Sequence, residues 1–133
     1  MTSNLKDRLT EALEDEYKAR ATYRKVIEKF GSVRPFVNIV EAEERHVAAL
    51  LSLFGHYGIP APEDHWPERV SVPDTVEQAC CHAIEAEKEN MAMYDRLLAA
   101  TVEPGVRRVL ENLQAASRDR HLPAFERCLQ RRG

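Results

Sequence analysis

Between residues 58 and 73 the chain reads GIPAPEDHWPERVSVP, and this segment decides which helical fold the sequence can adopt. It carries four prolines and has no apolar periodicity, so it breaks the helical pattern on both sides of it. We predict a loop over about residues 58–72. Extended chain covers roughly 3.3 Å per residue, so this loop can reach about 50 Å. A turn between neighbouring helices needs far fewer residues, whereas a crossover along a helical bundle needs about this many.

On either side of this segment, apolar residues recur at steps of three and four over long stretches, which is typical of amphipathic helices. Only short links separate the first helix from the second and the third from the fourth, so each pair should be antiparallel. Pro123 lies inside the fourth helix and should kink it near residue 120. The sequence therefore predicts an all-α fold in a single domain over residues 1–133, a four-helix bundle in which two antiparallel hairpins are joined by one long crossover. The predicted helices are 4–30, 33–57, 73–100 and 104–131.

Composition and charge narrow the functional classes. With 133 residues, 44 % hydrophobic and 31 % charged, the chain fits one soluble domain with its own core. A net charge of −3 gives no electrostatic reason to expect nucleic acid or an anionic membrane as a partner, and no apolar run approaches the length of a membrane span. Cys80 and Cys81 are adjacent and Cys128 is left over, so we predict free thiols and a reducing, cytoplasmic location.

Five polar residues interrupt the apolar stripes near the middle of the predicted helices, and they recur in the two halves of the chain. An offset of 71 residues places Glu16 on Glu87, and it also places Tyr23 on Tyr94. Between helices two and four, an offset of 75 residues places His46 on His121. Burying carboxylates is costly unless something pairs with them. The five interrupting residues are Glu16, Glu43, His46, Glu87 and His121.

Carboxylate and imidazole together form a ligand set for iron, manganese or zinc. In a four-helix bundle, mid-helix inward positions can converge at one depth. A metal ion there would remove the cost of burying the carboxylates, so we predict a metal site in the bundle core.

The chain resembles the ferritin-like superfamily, in particular the rubrerythrin branch and its small bacterial and archaeal relatives, over about residues 5–130. The resemblance rests on a Glu in helices one and three and on Glu-x-x-His in helix two. It implies a first metal held by Glu16, Glu43 and His46, and a second held by Glu87 and His121. It also implies that tyrosines hydrogen-bond these ligands across the bundle; the matching tyrosines are Tyr23 and Tyr94.

One position departs from the pattern of this family. Arg118 stands where the second Glu-x-x-His would have its glutamate, and a guanidinium cannot act as a metal ligand. Two hypotheses follow. In the first, the protein binds one or two iron ions, with manganese or zinc possible, and if catalytic is a non-haem iron oxidoreductase served by an external electron donor. In the second, Arg118 fills the second metal position and the bundle is a metal-free interaction or scaffold protein. In either case we expect a homodimer.

Overall fold

The computed structural model describes residues 4–132, and over that range it is an all-α four-helix bundle. The fourth helix is continuous but contains a π-helical turn, Ser117–His121, between two α-helical parts. The predicted fold class is therefore confirmed. Residues 1–3 and 133 of the predicted domain lie outside the described range. The α-helices are α1 (Leu5–Phe30), α2 (Phe36–His56), α3 (Val76–Ala99), α4 (Pro104–Ala116) and α5 (Leu122–Arg132).

Local signals in the sequence account for the helix ends. The side chain of Asn4 accepts a hydrogen bond of 2.8 Å from the backbone N–H of Asp7 at the start of α1. A reciprocal pair of hydrogen bonds between Thr75 and Gln78 caps the start of α3. Gly31 ends α1 with a φ of 86°, which glycine adopts without steric cost. The second helix begins three residues later than predicted, after Pro35, because the residue before a proline is biased away from helical dihedrals.

The crossover runs along the outside of α1 for most of its length. Near the middle of α1 the Tyr17 hydroxyl donates to the backbone carbonyl of Pro62 at 3.1 Å. At the C-terminal end of α1 Lys29 Nζ donates to the carbonyl of Pro73 at 3.1 Å. The crossover therefore returns the chain to the opposite end of the bundle before α3 begins, as predicted. As a result α3 is antiparallel to α1.

Two apolar clusters fill the bundle, one towards each end; α1, α2 and α3 contribute to both, whereas α4 contributes to the first and α5 to the second. The first surrounds Leu13 and Leu50, and the second surrounds Phe36 and Phe125. Near the boundary between the two clusters, each of the four bundle helices also carries buried polar residues. The bundle therefore contains a buried polar layer across its middle, formed by Glu16, Glu43, His46, Glu87, Asn90, Ser117 and His121.

The predicted distortion near residue 120 is present as the π-helical turn. Pro123 lies two residues after this turn and has no N–H to donate to the carbonyl of residue 119, so a regular α-helical hydrogen bond is missing there. A π-helical turn accommodates one residue more than an α-helical turn. The turn consequently changes which residues of the fourth helix face the core.

The prediction of free thiols at Cys80 and Cys128 is wrong. These residues form a disulfide between α3 and α5, with their Cα atoms 6.5 Å apart. The adjacency of Cys80 and Cys81 concealed this pairing, because helix packing brings together two inward positions that lie 48 residues apart. Cys81 is exposed and free. Among residues 4–132, no helix combines the length with the apolar character that a membrane crossing requires.

Candidate metal centre

The five predicted ligand residues meet in the buried polar layer, and each is at most 9 % exposed. His46 Nδ1 lies 3.3 Å from Glu16 Oε1 and 3.4 Å from Glu43 Oε1. His121 Nδ1 lies 3.4 Å from Glu43 Oε1 and 3.4 Å from Glu87 Oε1. The Glu43 carboxylate therefore lies between the two imidazoles, which are stacked with their centroids 5.5 Å apart.

Two tyrosines donate hydrogen bonds to the outer carboxylates, which are those of Glu16 and Glu87 on either side of Glu43. Each tyrosine comes from the opposite half of the chain to the glutamate that it contacts. Tyr23 on α1 donates to Glu87 Oε2 on α3 at 2.6 Å. Tyr94 on α3 donates to Glu16 Oε2 on α1 at 2.5 Å. Burial raises the pKa of both phenols well above the usual value, and the neighbouring carboxylates raise it further. Both hydroxyls therefore stay protonated and keep one oxygen of each outer glutamate hydrogen-bonded, which leaves the Oε1 atoms facing the imidazoles.

The carboxyl groups of the layer have unequal proton affinities. Burial, together with the charges of Glu16 and Glu87, raises the pKa of Glu43 well above its usual value. Burial alone would also raise the pKa of Glu16, but its contacts with His46 and its hydrogen bonds with Glu43 and Tyr94 outweigh burial and lower it. The central carboxylate is therefore the one whose negative charge is least compensated.

Arg118 does not fill the second metal position, so that prediction is wrong. Its side chain is 58 % exposed and forms a salt bridge of 2.8 Å with Asp119, which raises the pKa of the guanidinium. The reason is the π-helical turn. With about 4.4 residues per turn, the residue that shares a face with His121 is four positions before it rather than three. Ser117 therefore takes the inward position, and it is 3 % exposed.

Sequence reasoning missed the hydrogen-bonded chain that begins at Ser117. The Ser117 hydroxyl donates to Asn90 Oδ1 at 2.7 Å. Asn90 Nδ2 donates to Asp15 Oδ2 at 2.6 Å and makes a longer contact of 3.4 Å with Glu16 Oε2. Burial raises the pKa of Asp15 to about 6, although the hydrogen bond from Asn90 opposes this. A signal was present, since Asn90 lies three residues after Glu87 and so shares its helix face.

The donor set fits a metal ion. His121 Nδ1 is buried and makes no hydrogen bond within the described part of the chain, although two carboxylate oxygens lie 3.4 Å away. Within residues 4–132, no lysine or arginine nitrogen lies within 4.0 Å of the Glu16, Glu43 or Glu87 carboxylates. One ligand atom each from Glu43, His46 and His121 lies within 4.8 Å of the others. This buried group could hold a metal ion.

A cavity of about 540 Å³ leads from the surface to this layer, between α1, α3 and the crossover. Tyr23, Glu43 and Glu87 line its inner end. Trp66 and Arg69 of the crossover and Lys18 of α1 line the outer part. The carboxylates of the layer are therefore reachable from outside the bundle.

Comparison with known proteins supports the fold along the whole chain. A solved structure of hypothetical protein MJ0754 from Methanococcus jannaschii DSM 2661 is 26 % identical in sequence and has a TM-score of 0.88, covering 100 % of this chain and 83 % of its own. That protein is described only as hypothetical, so the similarity bears on the fold. No protein-family model and no curated protein matches this chain.

Proposed function

We propose that this protein is a ferritin-like metal-binding protein, related to the rubrerythrin branch, that holds iron in the core of its bundle. The observation that carries the proposal is the convergence of three buried carboxylates with two imidazole nitrogens in a layer without lysine or arginine among the described residues. Such a cluster of negative charge is costly without a compensating cation. A divalent ion supplies that cation and gives the unpaired His121 Nδ1 a partner.

The layer divides into two half-sites that share one residue. Glu16 and His46 would hold the first ion, and Glu87 and His121 would hold the second. Glu43 Oε1 lies 3.4 Å from Nδ1 of both imidazoles, so Glu43 would belong to both half-sites. Because Ser117 provides no carboxylate opposite Glu43, a second ion would have one ligand fewer than in the family pattern. One or two ions per chain therefore fit this proposal, and manganese or zinc would use the same donors.

Bound iron supplies one-electron redox chemistry towards peroxide or dioxygen, which side chains alone lack. The chain itself contributes the positioning of the donors. Tyr23 and Tyr94 each hold one oxygen of an outer glutamate, which fixes the orientation of that carboxylate. The two apolar clusters cover the layer from the two ends of the bundle and exclude water from these two faces.

A reducing partner and self-association complete the proposal. Turnover would need an external electron donor, and a homodimer would be the form of the protein in solution. The scaffold alternative depended on Arg118 compensating the carboxylates from within, and the exposed position of Arg118 removes that compensation.

The experiment is a metal titration of the metal-free protein with ferrous iron under anaerobic conditions, followed by gel filtration and plasma mass spectrometry of metal per chain. We expect one or two ions per chain in the natural protein. We expect Glu43→Gln to lose at least one of them, because this substitution keeps the size of the side chain and removes the shared negative donor.

Arg118→Gln is the matched control, since its side chain lies outside the layer, and it should retain the natural stoichiometry. Absence of bound iron, manganese and zinc in the natural protein would overturn the proposal. Equal metal content in the natural protein and in Glu43→Gln would show that the metal binds elsewhere.

A further inference from the structure

The cavity that leads to the polar layer is larger than a small inorganic substrate requires. A water molecule occupies about 30 Å³ in the liquid, and dioxygen or peroxide is of similar size, whereas this cavity measures about 540 Å³. Volumes of roughly 300–1,000 Å³ are typical of sites that bind small organic molecules. The cavity therefore has room for an organic molecule in front of the carboxylates.

The wall of the cavity is mainly apolar between its mouth and its inner end. Ala19 of α1 and Ala83 and Ala86 of α3 are small residues that leave space between these two helices. Val70 and Trp66 of the crossover form the facing side. An apolar body of several carbon atoms would remove this surface from water.

Two cations lie at the outer part of the cavity and have no carboxylate partner. Lys18 Nζ lies 5.5 Å and the Arg69 guanidinium carbon lies 5.8 Å from the centre of the Trp66 ring. In the described range neither makes a salt bridge within 4.0 Å, whereas Arg20 on the same side of α1 pairs with Asp64 at 3.0 Å. Unpaired cations held against one aromatic ring favour an anion as the ligand.

Five carboxylates also line the cavity, and the two at its inner end, Glu43 and Glu87, belong to the uncompensated polar layer. Of the three in the outer part, two have a partner. Glu85 at the rim forms a salt bridge of 3.9 Å with Lys88, and Asp15 accepts a hydrogen bond from Asn90. Glu89, also exposed at the rim, is the acidic residue that opposes an anion most directly.

We propose that this cavity binds a small organic anion with an apolar body, its charged group beside Lys18 and Arg69 and its body directed towards Glu43 and Glu87. This inference rests on the proposed function in one respect: an organic anion of this kind would be the substrate of the metal centre. The binding itself depends only on the cavity.

Three ligands with the same apolar body and different head groups test the charge preference. Trp66 is the only tryptophan of the chain, so its fluorescence reports binding in the cavity during titrations of metal-free protein with octanoate, octan-1-ol or octylamine. We expect octanoate to bind about tenfold more tightly than octanol, since two charge interactions of the exposed type each contribute about fivefold or less. Tighter binding of octylamine, or no binding of octanoate, would overturn the proposal.

Substitution of the two cations gives the second arm, measured by calorimetry because changes beside Trp66 alter its fluorescence. Lys18→Gln and Arg69→Gln should each weaken octanoate binding by about fivefold and leave octanol binding unchanged. Arg118→Gln removes an exposed cation away from the cavity and should change neither affinity. Equal octanoate affinity in all four proteins would contradict the assigned position of the charged group.

Cobalt(II) distinguishes failure of this inference from failure of the proposed function. If cobalt loads the protein, its visible absorption should change when octanoate binds, and an unchanged spectrum with octanoate bound would refute the substrate role. If no cobalt, iron, manganese or zinc binds, the proposed function fails and the substrate role fails with it. The octanoate titration of the metal-free protein then still decides whether the cavity binds an organic anion.

Discussion

The replacement Glu43→Gln should have opposite effects on the metal-free and the metal-loaded protein. Glutamine keeps the size of the side chain and removes the negative charge at the centre of the layer. Without metal, a negative charge there would lie among the carboxylates of Glu16 and Glu87, and burial together with these charges raises the pKa of Glu43. Folding at pH 7 therefore costs either this repulsion or the uptake of a proton. We therefore expect the variant to be more stable than the natural protein when no metal is present, and to lose the stabilisation that metal provides.

The magnitude follows from the geometry of the layer. The Oε1 atoms of Glu16 and Glu43 both lie within 3.4 Å of His46 Nδ1, so these two oxygens are at most about 7 Å apart. Two unit charges at about 7 Å repel by roughly 2.4 kcal/mol at an effective dielectric constant of about 20. The same bound holds for Glu43 and Glu87 through His121 Nδ1. Lost attraction to the imidazoles offsets part of this repulsion, so we expect a net gain of about 1–3 kcal/mol in the free energy of unfolding.

The assay is urea unfolding followed by far-ultraviolet circular dichroism at pH 7, with chelator and then with saturating manganese. A metal present at about 100 times its dissociation constant should stabilise the natural protein by about 2.7 kcal/mol and the variant by much less. A variant that unfolds more easily than the natural protein in chelator would refute the reasoning. It would mean that the Glu43 charge is already compensated in the metal-free layer.

Three further predictions concern proton binding, the tyrosines and the disulfide. The pKa of Glu43 is higher in the folded than in the unfolded protein, so the contribution of this carboxyl to stability is fully present below about pH 4.5 and is lost as the pH rises through the folded pKa. In the same urea assay, the metal-free natural protein should therefore lose more stability between pH 5 and pH 7 than Glu43→Gln. Tyr94→Phe removes the hydrogen bond to an outer glutamate and should weaken metal affinity about 10-fold or more, measured by competition with a chromogenic chelator, with unchanged affinity contradicting an orienting role. Cys128→Ser removes the disulfide between two residues that lie 48 apart in sequence. This should lower the free energy of unfolding by at most about 4 kcal/mol, the value that chain entropy gives for a loop of this length. Unfolding of Cys81→Ser, which should match the natural protein, provides the control, and equal stability of all three proteins would contradict a stabilising bridge.

The fold and the convergence of five buried polar residues could be predicted from the sequence because they depend on patterns that repeat along the chain. The proline-rich crossover separates two helix pairs, and apolar periodicity gives the helices. Glu16 and Glu87 are detectable because a carboxylate in an apolar stripe is unusual, and an internal offset places one on the other. These are local signals, and the structure brings the corresponding residues together in one layer.

The errors of prediction concern features that depend on helix register or on packing between helices. Arg118 was assigned to the site by counting three residues back from His121, which is valid only for an α-helix. The π-helical turn changes that count, and Ser117 faces inward instead. The disulfide between Cys80 and Cys128 was missed because nothing in the spacing of the cysteines indicates which inward positions of two helices meet.

The π-helical turn also has a consequence for how this helix tolerates insertions and deletions. Each residue added to an α-helix rotates everything beyond it by about 100°. Before the turn, an offset of 74 residues aligns Ile39 with Leu113, and beyond it an offset of 75 aligns Leu50 with Phe125; all four are buried in the two apolar clusters. The turn behaves as an absorbed one-residue insertion. A one-residue deletion inside it should restore an uninterrupted α-helix without moving either apolar face, whereas the same deletion in α4 or α5 would misalign the helix. Combined with Ser117→Glu, such a deletion would rebuild Glu-x-x-His in the fourth helix.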